Sequence, residues 1–421
     1  MDITFYGGRA EGEVTPPASK SFTHRAIIMS ALSQGKCVVR EPLLSFDTRA
    51  TMEAVRSMGA SVTETDQGIE IECDRYHAPS KTIDVGNSGT TLRLMTGISA
   101  LFDSETTLTG DESIQKRPMG PLLDALEGCN VSCTSADGKP PVTVKGPIEG
   151  NTISIDGSSS SQFISSAIMA APLVGRPMDI ILTKDPVSKP YIRITTLMMK
   201  RFGIDVSETE NGYHIEPQCY RPTDYSVPAD FSSAAFPLVA GALGGKVTVR
   251  NMDPECGQGD SKIIDILRDA GCRVEQDGNS ITCYRNTDLK ALEIDMSDIP
   301  DLFPIVSVLM STAKGTSRLY GAPHLRFKES DRIQLTENML RTLGADITGT
   351  DDGCIINGVG KLREGHIEHA GDHRMMMSAA VASLICEDPV VMEDDACWNV
   401  SYPGFVEEMC SLGLRCDRCT Q

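Results

Sequence analysis

The 421-residue chain contains no unbroken run of 18 apolar residues, so no segment is expected to cross a membrane as a helix. Positive charge is also scarce. There are 39 Lys and Arg against 58 Asp and Glu, a net charge of −19, with an isoelectric point near 4.8. That balance argues against nucleic acid, whose binding is driven by cationic surface. Met1–Glu13 (MDITFYGGRAEGE) has neither a basic start nor an apolar core, so no secretory signal is expected. Gly35-Lys36 is followed by Cys37, and Gly245-Lys246 by Val247, so no GxxxxGK[ST] loop is formed. No complete GxGxxG occurs either, which leaves a nucleoside triphosphate or dinucleotide without support. The fourteen cysteines are scattered; Cys416 and Cys419 form a CxxC with no second pair at zinc spacing. His366 and His369 lack a flanking HExxH. Reduced thiols, surface histidines, no metal and no cofactor are the expectation, in a cytoplasmic protein.

What the chain does have is a repeat. An amphipathic stretch closed by glycine and followed by a strand-like run occurs six times, with closing glycines at 59, 128, 203, 271, 344 and 413. A period of about 70 residues accounts for the whole length. In Ile263–Gly271 the apolar positions follow helical spacing, and glycine just past the last turn predicts a left-handed cap. Cys272, Val274 and Ile281 suggest a strand pair, and Lys246–Val249 and Thr316–Leu319 read as further strands. A second kind of helix lies upstream in each unit, as in Phe163–Val174, Ala234–Leu243, Leu302–Met310 and Met375–Ile385. These are apolar or small nearly all round and should be buried. One unit reads as strand, buried helix, strand, surface helix, strand, strand.

The buried helices are expected to begin near Ser21, Ser88, Ser161, Ser232, Asp301 and Asp372, at the same period. Ser and Asp are good N-caps, which is the plainer explanation. The neighbours add something else. Lys20, Arg25, Arg93, Lys328, Arg332 and Arg374 place cations in or near these openings, where the helix dipole disfavours them. Their gathering implies a counter-anion, most simply a phosphate or carboxylate.

Eight segments carry a resemblance: Pro17–Arg25 (PASKSFTHR), Gly86–Arg93 (GNSGTTLR), Thr109–Pro118 (TGDESIQKRP), Asp156–Phe163 (DGSSSSQF), Ser188–Tyr191 (SKPY), Asp298–Asp301 (DIPD), Arg326–Arg332 (RFKESDR) and Gly371–Met375 (GDHRM). In this order, over essentially the whole chain, they resemble the 5-enolpyruvylshikimate-3-phosphate synthases. The resemblance implies an α/β protein, a two-domain inside-out α/β barrel of six βαβαββ-type repeats, three per domain. One domain would comprise residues 1–18 with 229–421, the other 19–228, with the active site in the cleft between them. It implies transfer of the enolpyruvyl group of phosphoenolpyruvate to the 5-hydroxyl of shikimate 3-phosphate, by a monomer without a cofactor.

The family's catalytic positions fall on Asp301 (base for the 5-hydroxyl), Lys20 (bridging both substrates) and Glu329 (exchanging the C3 proton). Without the resemblance, Asp301 would read as a plain N-cap. Lys328 is expected to offset Glu329 and bind substrate oxygens. Shikimate 3-phosphate positions are Lys20, Ser21, Arg25, Ser160, Ser161, Gln162, Ser188, Tyr191, Asp301 and Lys328. Phosphoenolpyruvate positions are Lys20, Asn87, Gly89, Arg117, Gln162, Arg332 and Arg374, arginine suiting both anions through its planar fork. Arg93 reads as a salt-bridged support.

Two positions depart from the pattern. Val400 stands before Ser401-Tyr402-Pro403, where the family usually has Lys, and His324 stands where many members have Asn. The UDP-N-acetylglucosamine enolpyruvyl transferases share the fold and mechanism, but they typically carry a Cys in the loop that here is Asp111–Pro118 and contains none. A silent anion-binding module would be expected to lose Asp301, Lys20 or Glu329. An RNA-end-processing enzyme is disfavoured by the charge.

Overall fold

Each repeat builds one four-stranded sheet with two helices, and the computed structural model describes residues 2–254 and 256–418. Every sheet has one parallel strand pair and otherwise antiparallel pairings, and in the second, third, fifth and sixth sheets the parallel pair is joined across the buried helix. The third repeat shows the plan: Thr152–Asp156, buried helix Ser161–Ala170, Met178–Lys184, surface helix Lys189–Arg201, then Ser207–Thr209 and Gly212–Ile215. The second and fifth repeats are built the same way from contiguous chain.

The other three repeats borrow a strand. Tyr225–Ser226 lies parallel to Lys36–Arg40 and opens the first sheet. Glu11–Val14 does the same beside Lys246–Val249 in the fourth. Asp2–Tyr6 fills the sixth, between Val390–Glu393 and Arg415–Arg418. These exchanges explain why the chain divides as it does. Met1–Pro17 with Pro228–Gln421 forms one compact unit and Ala18–Val227 the other. An N-terminal segment supplying backbone partners to two sheets cannot leave them without exposing unpaired N–H and C=O groups.

The helices are inside, as the apolar patterning predicts. Phe231–Gly244 buries thirteen of its residues, and its neighbours in the same unit, Phe303–Met310 and His373–Ala382, are buried throughout. Each fully buried Phe or Leu contributes about 1.5–3 kcal/mol. The strands alternate instead, Thr152–Asp156 pointing Ile153 and Ile155 inward. The expected barrel is not closed: six separate sheets of four strands each are present. Closing a barrel around filled side chains takes about eight strands.

Helix ends depart from expectation in detail. Ser88, Ser160, Asp230 and Asp372 cap through their side chains. Ser21, Ser161 and Ser232 lie inside the first turn of their helices. Of the closing glycines, Gly128 is right-handed at φ −59. The left-handed residue there is Asn130 at φ 61, an asparagine being the next best choice. No helix among the described residues is long and apolar enough to cross a membrane.

Candidate functional site

The candidate residues form two constellations, one in each unit. In Ala18–Val227 they gather at the openings of three buried helices. Lys20 is the first residue of Lys20–Leu32, and its Nζ meets Asp47 Oδ2 at 2.9 Å. Asp47 lies in the first turn of Phe46–Ser57. Sequence reading missed it because an acid in a first turn is ordinary helix chemistry.

Arg25, four residues after Ser21 on the same helix, is 1% exposed. Its Nε donates to Thr195 Oγ1 (2.7 Å), Nη1 to the Ser21 carbonyl (3.0 Å), and Nη2 to Ser165 Oγ and the Tyr191 carbonyl (3.3 Å each). All four partners are neutral. Burial lowers the guanidinium to about 10, with Tyr191 opposing. The adjacent His24 is held well below its ordinary value by burial and then by Lys20 and Arg25.

Ser160 caps its helix, accepting the Gln162 N–H at 3.3 Å, and Ser161 follows, buried. Gln162 is fixed at both ends: its Oε1 accepts from Arg93 Nη1 (2.8 Å) and its Nε2 donates to Thr90 Oγ1 (2.9 Å). Arg93 therefore supports through an amide, and its guanidinium lies 5.4 Å from the Phe163 ring centroid. Ser188 precedes Lys189–Arg201 in a left-handed conformation, φ 53 and ψ 45. Such strain in a serine persists where surrounding structure enforces it, often at ligand sites. Tyr191 stands in the first turn of that helix.

Asn87 links a cation to a carboxylate. Its Oδ1 accepts from Arg117 Nη2 (3.2 Å) and its Nδ2 donates to Asp111 Oδ2 (2.8 Å). Gly89 opens helix Gly89–Ser99 directly against this arginine; a β-carbon there would collide with Arg117 Nη1.

The second constellation, in the other unit, centres on Asp301. It is no N-cap: it lies within the 3-10 turn Pro300–Leu302 ahead of Phe303–Met310. Its Oδ1 is 2.9 Å from Arg332 Nη1, its Oδ2 3.0 Å from Arg374 Nη2, and Lys328 Nζ is 3.8 Å from Oδ1. Burial raises this carboxyl's pKa, but Arg374, Lys328 and Arg332 outweigh it and hold the group well below the usual range.

Arg332, 1% exposed, also donates from Nε to Asp372 Oδ2 (2.8 Å) and from Nη2 to Glu329 Oε2 (2.7 Å). Arg332 is a cation paired with Glu329, and Lys328 lies beside Asp301. Asp372 caps the last buried helix by accepting the Arg374 N–H at 3.0 Å, and it accepts Ser330 Oγ at 2.8 Å. Arg374 Nη1 is buried with no hydrogen-bond partner among the described residues.

Asp260 was not anticipated. It is buried, accepts Ser232 Oγ, and has an unpartnered Oδ1. Burial and the Asp301 charge push it up to about 7. No motif marked it, since its neighbours Gln258 and Gly259 read as loop. His324 is buried; burial and Lys328 lower its imidazole to about 3, so it is neutral. Val400 ends the 3-10 turn Cys397–Val400. His369, expected at the surface, is 3% exposed. Cys419 lies outside the described residues.

Six helix–sheet repeats with arginines and serines gathered at the helix openings define a protein of the enolpyruvyl transferase fold. The enolpyruvyl transferase NikO from Streptomyces tendae has a TM-score of 0.80 at 16% identity, over 100% of this chain and 99% of that one. EPSP synthase from Acinetobacter baumannii has a TM-score of 0.81 at 28% identity, over 99% of this chain and 100% of that one. The 3-phosphoshikimate 1-carboxyvinyltransferase of Methanocorpusculum labreanum is 47% identical over 417 residues, 98% of this chain and 99% of that relative. The model of the EPSP synthase (3-phosphoshikimate 1-carboxyvinyltransferase) family matches residues 6–409, and the chain belongs to that family.

Proposed function

We propose that this chain joins shikimate 3-phosphate to phosphoenolpyruvate, giving 5-enolpyruvylshikimate 3-phosphate and inorganic phosphate, a step of the shikimate pathway towards aromatic amino acids. The observation that carries the reading is Arg25. A guanidinium that is 1% exposed and bonded only to neutral groups calls for an anion from outside the protein, because a buried charge is costly unless paired. Lys20 and Arg332, by contrast, already hold carboxylates.

Shikimate 3-phosphate is assigned to Ser21, Arg25 and Tyr191 for the ring and carboxylate. Ser160, Ser161 and Ser188 are assigned to its phosphate, and Gln162 to contact with both substrates. Phosphoenolpyruvate is assigned to Asn87, Gly89, Arg117, Gln162, Arg332 and Arg374, with Lys20 touching both. The 5-hydroxyl oxygen attacks C2 while C3 takes a proton, forming a ketal phosphate. Loss of a C3 proton then expels phosphate and restores the double bond. Asp301 accepts the hydroxyl proton, Glu329 delivers and removes the C3 proton, and Lys20 and Lys328 stabilise the developing charge.

A carboxylate held far below its usual pKa is a poor base. The anions of phosphoenolpyruvate, by taking up Arg332 and Arg374, would release Asp301 and return its basicity. The base is thereby switched on only when substrate is present. The chain is taken to act as a monomer in the cytoplasm.

Phosphate release is the test, with phosphoenolpyruvate plus either shikimate 3-phosphate or UDP-N-acetylglucosamine. Release with the first acceptor alone is expected. Release only with the second, or with neither, would overturn the reading.

A further inference from the structure

Beside the helix opening that carries Asp372 and Arg374, where the Asp372 N–H donates to the His369 carbonyl at 2.9 Å, three metal-ligating side chains converge. His369 lies on the turn before helix His373–Ala382; Asp395 and Cys397 follow strand Val390–Glu393. One ligand atom from each falls within 4.8 Å of the others. His369 Nδ1 is 3.8 Å from Cys397 Sγ and 3.9 Å from Asp395 Oδ2.

We propose that His369, Asp395 and Cys397 form a binding site for one divalent metal ion of the Zn2+ class, with water as the fourth ligand. The donor set, one imidazole, one thiolate and one carboxylate, suits Zn2+ or Co2+ and is wrong for Mg2+ or Ca2+, which take oxygen. A tetrahedral Zn2+ with its usual bond lengths sets such atoms roughly 3.4–3.6 Å apart. From His369 Nδ1 this asks Cys397 Sγ and Asp395 Oδ2 to draw in by roughly half an ångström or less, from 3.8 and 3.9 Å.

The surroundings already orient the ligands. His369 Nε2 donates to the Glu393 carbonyl at 3.0 Å, which fixes the tautomer and leaves the Nδ1 lone pair for the ion, as outer partners do in metal sites. Asp395 Oδ1 accepts the Cys397 N–H at 3.0 Å, so Oδ2 is the oxygen that faces His369. Ala396, between the two ligands, is left-handed at φ 54, and this turn brings both side chains to one side. Asp395 is 33% exposed, giving the ion and its water a way in. Two contacts compete and must give way: the Gly371 N–H points at Nδ1 from 3.2 Å, and the Cys397 thiol donates a hydrogen bond to the Asp395 carboxylate, a bond lost when the metal takes the thiolate.

Co2+ titration of the reduced, chelator-treated full chain tests the proposal, because thiolate coordination gives a charge-transfer absorption and tetrahedral geometry intense visible bands. The expected result is one equivalent bound with both features, displaced by Zn2+. Cys397→Ser should abolish the charge-transfer band and weaken binding at least tenfold. Asp395→Asn, at an exposed position that does not threaten folding, should also weaken it several-fold while keeping the band. Cys416→Ser should change nothing; it alters a separate close thiol pair, Cys410 and Cys416 at 3.4 Å. Equal Co2+ affinity and spectrum in wild type, Cys397→Ser and Asp395→Asn would overturn the site, as would loss of binding in Cys416→Ser.

Discussion

Asp301→Asn separates catalysis from anion binding. In the structure Asp301 accepts two charged hydrogen bonds, from Arg332 at 2.9 Å and Arg374 at 3.0 Å. Each such bond is worth about 1.5–3 kcal/mol. An asparagine keeps one acceptor oxygen and turns an NH2 towards the other guanidinium. Arg332 retains Asp372 and Glu329, so Arg374 bears the loss. The net destabilisation should be near one charged bond, about 1.5–3 kcal/mol. At about 2–4 °C per kcal/mol for units of this size, the melting midpoint should fall by roughly 3–12 °C.

Turnover should fall about 10²–10⁴-fold, the usual cost of removing a general base. Phosphoenolpyruvate binding should behave differently. Its anions no longer compete with Asp301 for the arginines, so its affinity should hold or tighten, by up to about tenfold for 1.4 kcal/mol gained. Phosphate-release kinetics, equilibrium titration with phosphoenolpyruvate and a thermal melt read the three quantities. A variant keeping half the activity, or losing phosphoenolpyruvate affinity in step with turnover, would refute the argument that Asp301 is the base and that substrate must displace it.

Three other substitutions probe separate parts of the site. Gly89→Ala places a methyl group on the Arg117 guanidinium; the displaced arginine should raise the KM for phosphoenolpyruvate about 5- to 150-fold, from 1–3 kcal/mol of overpacking, with the shikimate 3-phosphate KM little changed in steady-state kinetics. Arg25→Lys cannot reproduce a fork that makes four hydrogen bonds, so the shikimate 3-phosphate KM should rise at least about tenfold; an unchanged value would remove Arg25 from that role. Asp260 has a carboxyl raised from 3.8 to about 7, so between those values the unfolded chain has lost a proton that the folded one keeps, and stability falls as pH rises through the window. Asp260→Asn, whose oxygen can still accept from Ser232, should therefore gain more in melting temperature at pH 8 than at pH 5.5; equal gains would show that the raised pKa does not contribute to stability.

The repeat was legible because every unit solves one packing problem with one pattern: an apolar helix inside, an amphipathic helix and half-buried strands outside. The period of the glycines and of the helix openings exposed it. Strand exchange was not legible in composition. Tyr225–Ser226 and Glu11–Val14 are too short to announce their sheets, and only backbone pairing across more than 180 residues assigns them. The capping residues were misplaced by one position at Ser160 and by two at Asp230 because Ser-Ser and Asp-Phe-Ser runs offer several adequate caps. The candidate site residues came from motif matches. Asp47 and Asp260, which set the charge balance around them, carry no motif.

That charge balance revises the argument from cations at helix openings. Their clustering was taken to require an external anion, yet most have internal ones: Lys20 has Asp47, Arg332 has Asp301, Glu329 and Asp372, and Arg374 has Asp301. Clustering alone therefore does not demonstrate a phosphate site, in a chain with 58 acidic residues least of all. What points outward is what the internal pairing leaves over, namely Arg25 with neutral partners only and the buried Nη1 of Arg374 with none among the described residues. The carboxylates that satisfy the rest keep the arginines in place before substrate arrives. On the proposed reading, two ligand anions carry more charge than one carboxylate, so substrate would win the competition for them, and the displaced Asp301 would then be the group able to take a proton.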